Sequence, residues 1–111
     1  MAAIARGGVL KQPQLFKEIP SSKSEIRNSD EINLGISAET LKVVYDGMYA
    51  VVNEPDGTAY KEFAAAGLAE QGVKVYGKTG STEEPANAWF SGFAVDGTGR
   101  KLAIAVLVEG G

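Results

Sequence analysis

GVKVYGKTGST, residues 72–82, is the stretch whose reading decides the architecture. It satisfies G-x-x-x-x-G-K-[ST] through Gly72, Gly77, Lys78 and Thr79, the pattern of a loop that cradles phosphate. It also alternates: Val73, Val75 and Gly77 interleave with Lys74, Tyr76 and Lys78, as in a half-buried strand. A phosphate loop needs a buried strand before its first glycine, a flexible turn between the glycines, and a helix starting at the lysine. Here the helix-like AAAGLAEQ stands before Gly72, and the residues between the glycines are Val-Lys-Val-Tyr. Two β-branched side chains and an aromatic favour extension. After Thr79, Gly80 and Pro85 leave no room for a helix. The stretch is a strand, and the phosphate-loop match is accidental.

Working outward, Ala88–Val95 (AWFSGFAV) reads as a second strand and Leu102–Val108 (LAIAVLV) as a third. Asp96-Gly97-Thr98-Gly99 between them has the glycine-rich chemistry of a hairpin. The expected unit is a three-stranded antiparallel meander, Val73–Thr82, Ala88–Val95, Leu102–Val108. Its last strand is apolar on both faces, which suits a sheet interior covered on both sides.

On the N-terminal side, Ser37 is a good helix N-cap and Glu39 lies in the first turn, where negative charge is favoured. Leu41, Val44, Tyr45, Met48 and Val52 then form one apolar stripe, so Ser37–Asn53 is expected to be the long helix. Lys42, Asp46 and Asn53 are expected to face away from the core. A shorter helix is expected around Tyr60–Ala66. MAAIARGG reads as the last turns of a helix stopped by Gly7-Gly8, Val9–Ile19 as a short strand or extended segment, and Pro20–Asn33 as a polar surface loop. A helix end without its cap and an apolar strand near the C-terminus lead to the expectation of one domain portion, residues 1–111, truncated at both ends.

The chain has 111 residues and a formal net charge of -3, with its basic residues scattered. That gives no electrostatic footprint for nucleic acid, so no nucleic-acid partner is expected. Cysteine and histidine are both absent, which excludes disulfides and thiol chemistry and would leave any metal an all-oxygen site; no metal or other cofactor is expected. No apolar run approaches the roughly 18–20 residues of a membrane span, so no membrane contact is expected of this segment and it is expected to be soluble.

On the strand, Lys78 and Gly80 project to one side and Thr79 and Ser81 to the other. If this is an edge strand, its free amides and carbonyls can pair with an extended peptide-like ligand. Thr79 and Lys78 could hold a carboxylate, and Gly80 removes a side chain where a ligand would approach. A surface strand with an ordinary lysine fits the same three residues equally well.

The surroundings favour the first reading. GMYAVVNEPDGTAYKEF, then YGKTGSTE, then NAWFSGFA, then AIAVLVEGG resemble, in order and spacing, the C-terminal part of class B penicillin-binding proteins. The elongation-type transpeptidases of rod-shaped bacteria are the closest resemblance. AAIARGGVLKQPQL is similar to a segment of the same family, so the resemblance covers nearly the whole chain. Ser81 stands where the family usually has threonine, and Asn87 where it often has histidine.

The resemblance implies an α/β fragment of the penicillin-recognising serine transpeptidase fold, a meander with one long and one or two short helices. It implies peptidoglycan cross-linking, with the stem peptide and β-lactams as partners of the full-length parent. That parent would be anchored in the bacterial inner membrane with this domain on the periplasmic side. Lys78 and Ser81 would be catalytic, Lys78 in proton transfer and carboxylate binding, Ser81 through a backbone N–H in the oxyanion hole. Thr79, Gly80 and Ser81 would bind substrate. S-x-x-K and S-x-N fail at every serine of these 111 residues, so the chain by itself is expected to be inactive. Two rival readings are a non-catalytic binding or scaffold module with a transpeptidase-like sheet, and part of a β-lactam sensor or serine β-lactamase. An oligomer formed through strand 102–108 is also expected, because an unpaired apolar edge invites strand addition.

Overall fold

The computed structural model describes residues 1–13 and 31–111. In chain order its elements are α1 (Ala2–Ala5), β1 (Val9–Lys11), β2 (Glu31–Asn33), α2 (Ala38–Asn53), α3 (Tyr60–Ala65), β3 (Lys74–Glu83), β4 (Ala86–Val95) and β5 (Lys101–Glu109). β3, β4 and β5 form the expected antiparallel sheet in that order, with an unbroken register from Lys74↔Val95 to Glu83↔Ala86 and from Asn87↔Glu109 to Val95↔Lys101.

The turn between β4 and β5 is closed by one carboxylate. Asp96 Oδ1 accepts from the Thr98 hydroxyl at 2.6 Å, the Thr98 amide at 2.9 Å and the Arg100 amide at 3.0 Å. These hydrogen bonds, that of the Thr98 hydroxyl first, hold the Asp96 carboxyl below its ordinary range.

Ser37 caps α2 as expected, its hydroxyl accepting from the Thr40 amide at 3.1 Å. Leu41, Met48 and Val52 are buried, and Lys42 pairs with Asp46 in solvent. The helix feeds two cores. Met48 and Tyr45 pack with Ala5, Tyr76 and Phe93; Val52 and Val51 pack with Ala59, Val75, Phe63, Phe90 and Ala94. Tyr76 faces Phe93 across the strands and stacks on it at 4.8 Å, whereas the adjacent pair is Val75 with Ala94. Neighbouring pairs lie on opposite faces of a sheet, so α2 straddles the outer edge of β3. The first half of β3 is therefore covered on both faces, where the alternation alone predicted only one. Each large apolar side chain buried this way contributes about 1.5–3 kcal/mol.

Two further expectations are corrected. Asn53 does not face away: its side-chain amide donates to the Tyr49 carbonyl and, at 2.9 Å, to the Val75 carbonyl. Glu31–Asn33, placed in a loop by its polarity, is strand β2, paired antiparallel to β1 through Val9↔Asn33 and Lys11↔Glu31. An ion pair between Lys11 and Glu31 rewards that pairing without burying either strand. β5 is the sheet's far edge, where the expected meander order puts it, and it is exposed along its whole length. Among the described residues nothing pairs with its outer side. The rest of the expected loop, and the extended segment beyond residue 13, lie outside the described residues.

Candidate functional site

The covered and open halves of β3 differ in what they do with the strand's outward backbone groups. The Val75 carbonyl accepts from Asn53, so it points away from β4. In an antiparallel ladder alternate residues direct both N–H and C=O to the same side. Gly77, Thr79 and Ser81 therefore present theirs outward as well. The other end of the sheet agrees: the Gly110 amide donates to the Ala86 carbonyl at 2.7 Å, which turns even-numbered β4 residues toward β5 and odd-numbered ones toward β3. Their β3 partners are then the even-numbered residues, Lys78 opposite Ser91 and Gly80 opposite Trp89.

Lys78 projects from one face, yet its ammonium folds over the rim and donates to the outward carbonyl of Thr79 at 2.8 Å. Thr79 projects from the other face and its hydroxyl lies 2.7 Å from that of Thr58. Ser81 is exposed. Lys78 and Thr79 thus bring a cation and a hydroxyl to one open edge, where Ser81 adds an outward amide and carbonyl. A carboxylate would meet two donors there, and an extended peptide would find a ladder partner.

The floor beneath this edge explains two glycines. Gly77 and Gly92 are opposite each other, and the Phe90 ring lies across both. A Cβ at Gly77 would run into that ring, and one at Gly92 into the Tyr76 carbonyl. Gly80 is different. A Cβ there would stand 3.6 Å from Trp89, an ordinary contact, so the fold itself makes no demand for glycine at that position. A cavity of about 230 Å³ lies between α2, α3 and the start of β3, lined by Val52, Phe63, Leu68 and Val75 among others, and includes none of Lys78, Thr79 or Ser81. Among the described residues no group of three or more metal-ligating side chains comes together.

Thr58 is the residue that sequence reasoning missed. It sits exposed in the Gly57-Thr58-Ala59 turn after α2, 21 positions before its partner. The signal was there in Gly57-Thr58-Ala59, part of the GMYAVVNEPDGTAYKEF stretch that carried the resemblance, but no role was read for Thr58. In the structure Gly57 packs so closely on the Ala50 and Val51 carbonyls that no Cβ fits, and the Ala59 amide donates to the Val51 carbonyl at 3.0 Å. A turn docked that firmly fixes its middle residue.

A family model, the penicillin binding protein transpeptidase domain, matches residues 1–111. The chain belongs to that family, one of acyl-transferring enzymes, and the sheet with its helices fits the family's α/β character. No curated protein and no solved structure matches it. No helix among the described residues is long and apolar enough to cross a membrane.

Proposed function

We propose that the open half of β3 is the ligand-binding wall of a class B, elongation-type peptidoglycan D,D-transpeptidase, facing the periplasm in a membrane-anchored parent. The observation that carries this reading is the convergence of the Lys78 ammonium, the Thr79 hydroxyl and the outward Ser81 backbone groups on one edge that no described strand pairs with. Thr79 and Lys78 hold the terminal carboxylate of a D-alanyl-D-alanine stem or of a β-lactam. The Ser81 carbonyl accepts from the ligand amide, and the Ser81 N–H donates to the oxygen that becomes negative, a contribution of roughly 3–4 kcal/mol in sites of this type. Gly80 lets the ligand backbone come close.

The nucleophile is a serine supplied by an S-x-x-K segment, a motif these 111 residues do not contain. Its Oγ gives up a proton and bonds to the penultimate D-alanine carbonyl carbon. The C–N bond to the terminal D-alanine breaks, and that D-alanine leaves as the protonated amine. An acceptor amine then displaces the serine, forming the cross-link and returning the proton to Oγ. Lys78 supports these transfers from the rim.

Intact-mass spectrometry after exposure to a penicillin tests the reading. The polypeptide in which an S-x-x-K segment precedes this chain gains one penicillin mass, and the 111-residue chain alone gains none. A stoichiometric adduct on the chain alone would mean that one of its own serines is the nucleophile, and the reading would fall.

A further inference from the structure

The hydroxyl pair of Thr58 and Thr79 has a directionality that the proposed function does not use. Each hydroxyl carries one proton. At 2.7 Å one of them donates to the other, and the heavy atoms permit either order. If Thr79 donated to Thr58, its only proton would be consumed, and that hydroxyl would offer a ligand carboxylate nothing but lone pairs, leaving the Lys78 ammonium as the side-chain donor. If Thr58 donates, the Thr79 proton is free and its hydroxyl rotor is fixed with that proton turned outward. An anionic ligand favours the second order by its own charge. Thr58 can supply the bond because its turn is anchored to α2 through Gly57 and Ala59 rather than to the sheet.

We propose that Thr58 is a positioning residue: its hydroxyl donates to Thr79 and so orients the Thr79 proton toward the carboxylate of the bound peptide or β-lactam. This rests on the reading of the Lys78–Ser81 edge as the carboxylate site. Thr58 touches no ligand itself. It replaces the rotational freedom of a surface hydroxyl with one prepared orientation, so that binding need not order it. The same contact ties the end of α2 to the open half of β3, a place the helix itself does not reach.

The test measures the second-order rate of acylation by benzylpenicillin in the polypeptide that includes the S-x-x-K segment. Thr58→Val, close to isosteric at an exposed position, lowers the rate about ten-fold, the worth of one directed hydrogen bond. Thr58→Ser, which keeps the hydroxyl, stays within about two-fold of wild type by the same argument. Thr58→Val added to Thr79→Val costs nothing further, because the first acts only through the second. Thr58→Val at the wild-type rate, Thr58→Ser as slow as Thr58→Val, or losses that multiply in the double variant would each overturn the assignment. A wild-type protein that takes up no penicillin at all overturns the reading of the edge, and the role of Thr58 with it.

Discussion

The sheet has two outer edges, and they face solvent for opposite reasons. On β3 the first half of the edge is occupied, with Asn53 of α2 bonded to the Val75 carbonyl, and the second half is open and polar, with Lys78, Thr79, Gly80 and Ser81. On β5 the whole strand is open and almost wholly apolar: Leu102, Ile104, Val106, Leu107 and Val108 are all exposed. In their open parts both edges turn outward backbone groups that no described strand pairs with. What separates them is the chemistry beside those groups. On the function proposed above, a cation, a hydroxyl and a glycine suit a short anionic peptide, whereas branched apolar side chains suit another strand. An open edge is not in itself a site; the side chains flanking it decide what it accepts.

The largest expected effect removes the charge from one edge and compares it with the other. In the polypeptide with the S-x-x-K segment, Lys78→Ala should lower penicillin acylation by about 10²–10⁴-fold, as loss of a proton-transfer partner does. Thr79→Val should cost less. Lys101→Ala, on the other edge, should leave the rate within about two-fold. Equal losses from both lysines would show that net charge and not position matters, and the distinction between the edges would dissolve.

Stability should divide the same way. Phe93 is 3% exposed, stacked on Tyr76 behind β3. Phe93→Ala should cost about 3–5 kcal/mol in a urea titration. Leu102, at 64% exposed, should change stability by no more than about 0.5 kcal/mol when replaced by alanine. A large loss at Leu102 in dilute solution would mean that β5 is already covered.

Association comes next in size. Aligned antiparallel about Ala105, two copies of β5 would set Leu102 against Val108 and Ile104 against Val106 of the second copy. The odd-numbered residues, whose backbone groups point outward, would then pair with one another. Sedimentation of the 111-residue chain should show a dimer or larger species that Ile104→Lys disperses. Hydrogen exchange refines this. The Thr79 and Ser81 amides should exchange quickly at any concentration and those of Lys78 and Gly80 slowly, while Ala103, Ala105 and Leu107 should become protected as concentration rises. A clean monomer at high concentration would sink the pairing.

The smallest effect is acid-dependent and confined to the β4–β5 turn. Bonds from Thr98 and Arg100 lower the Asp96 value below the ordinary 3.8. A lowered carboxyl contributes its stabilisation in full above the unfolded value and loses it as pH falls through the folded one. Exchange at the Thr98 amide should therefore rise only below pH 3.8, with Ser81 hardly affected. Asp96→Asn should abolish that rise.

Much of this was legible in the sequence, in the places where one local rule governs. Period-two alternation from Val73, the Asp96–Gly99 turn and the Ser37 cap each depend on residues close in the chain, and the meander and α2 followed from them. Lys78 and Thr79 were singled out by their motif and lie at the open edge, with Ser81 beside them. What escaped depends on distance in sequence. Asn53 is polar and looked solvated, but it ends a helix that happens to cross the β3 edge. Thr58 meets Thr79 only once α2 has placed its following turn. β2 is three exposed residues, two of them polar, and only its partner makes it a strand.

The outward N–H and C=O of Ser81 have a consequence for how such a protein can change under selection. Side-chain groups can be deleted by a single base change, but a main-chain amide survives every substitution except proline, which alone lacks the N–H. A lineage exposed to a toxic mimic of its natural ligand cannot discard that donor while keeping the strand. Its accessible variation lies in tilting or shifting the strand, and the means lie beneath it, where Phe90 rests against Gly77 and Gly92. On the function proposed above, altered response to such a mimic should therefore map to the packing under β3 sooner than to Ser81 itself.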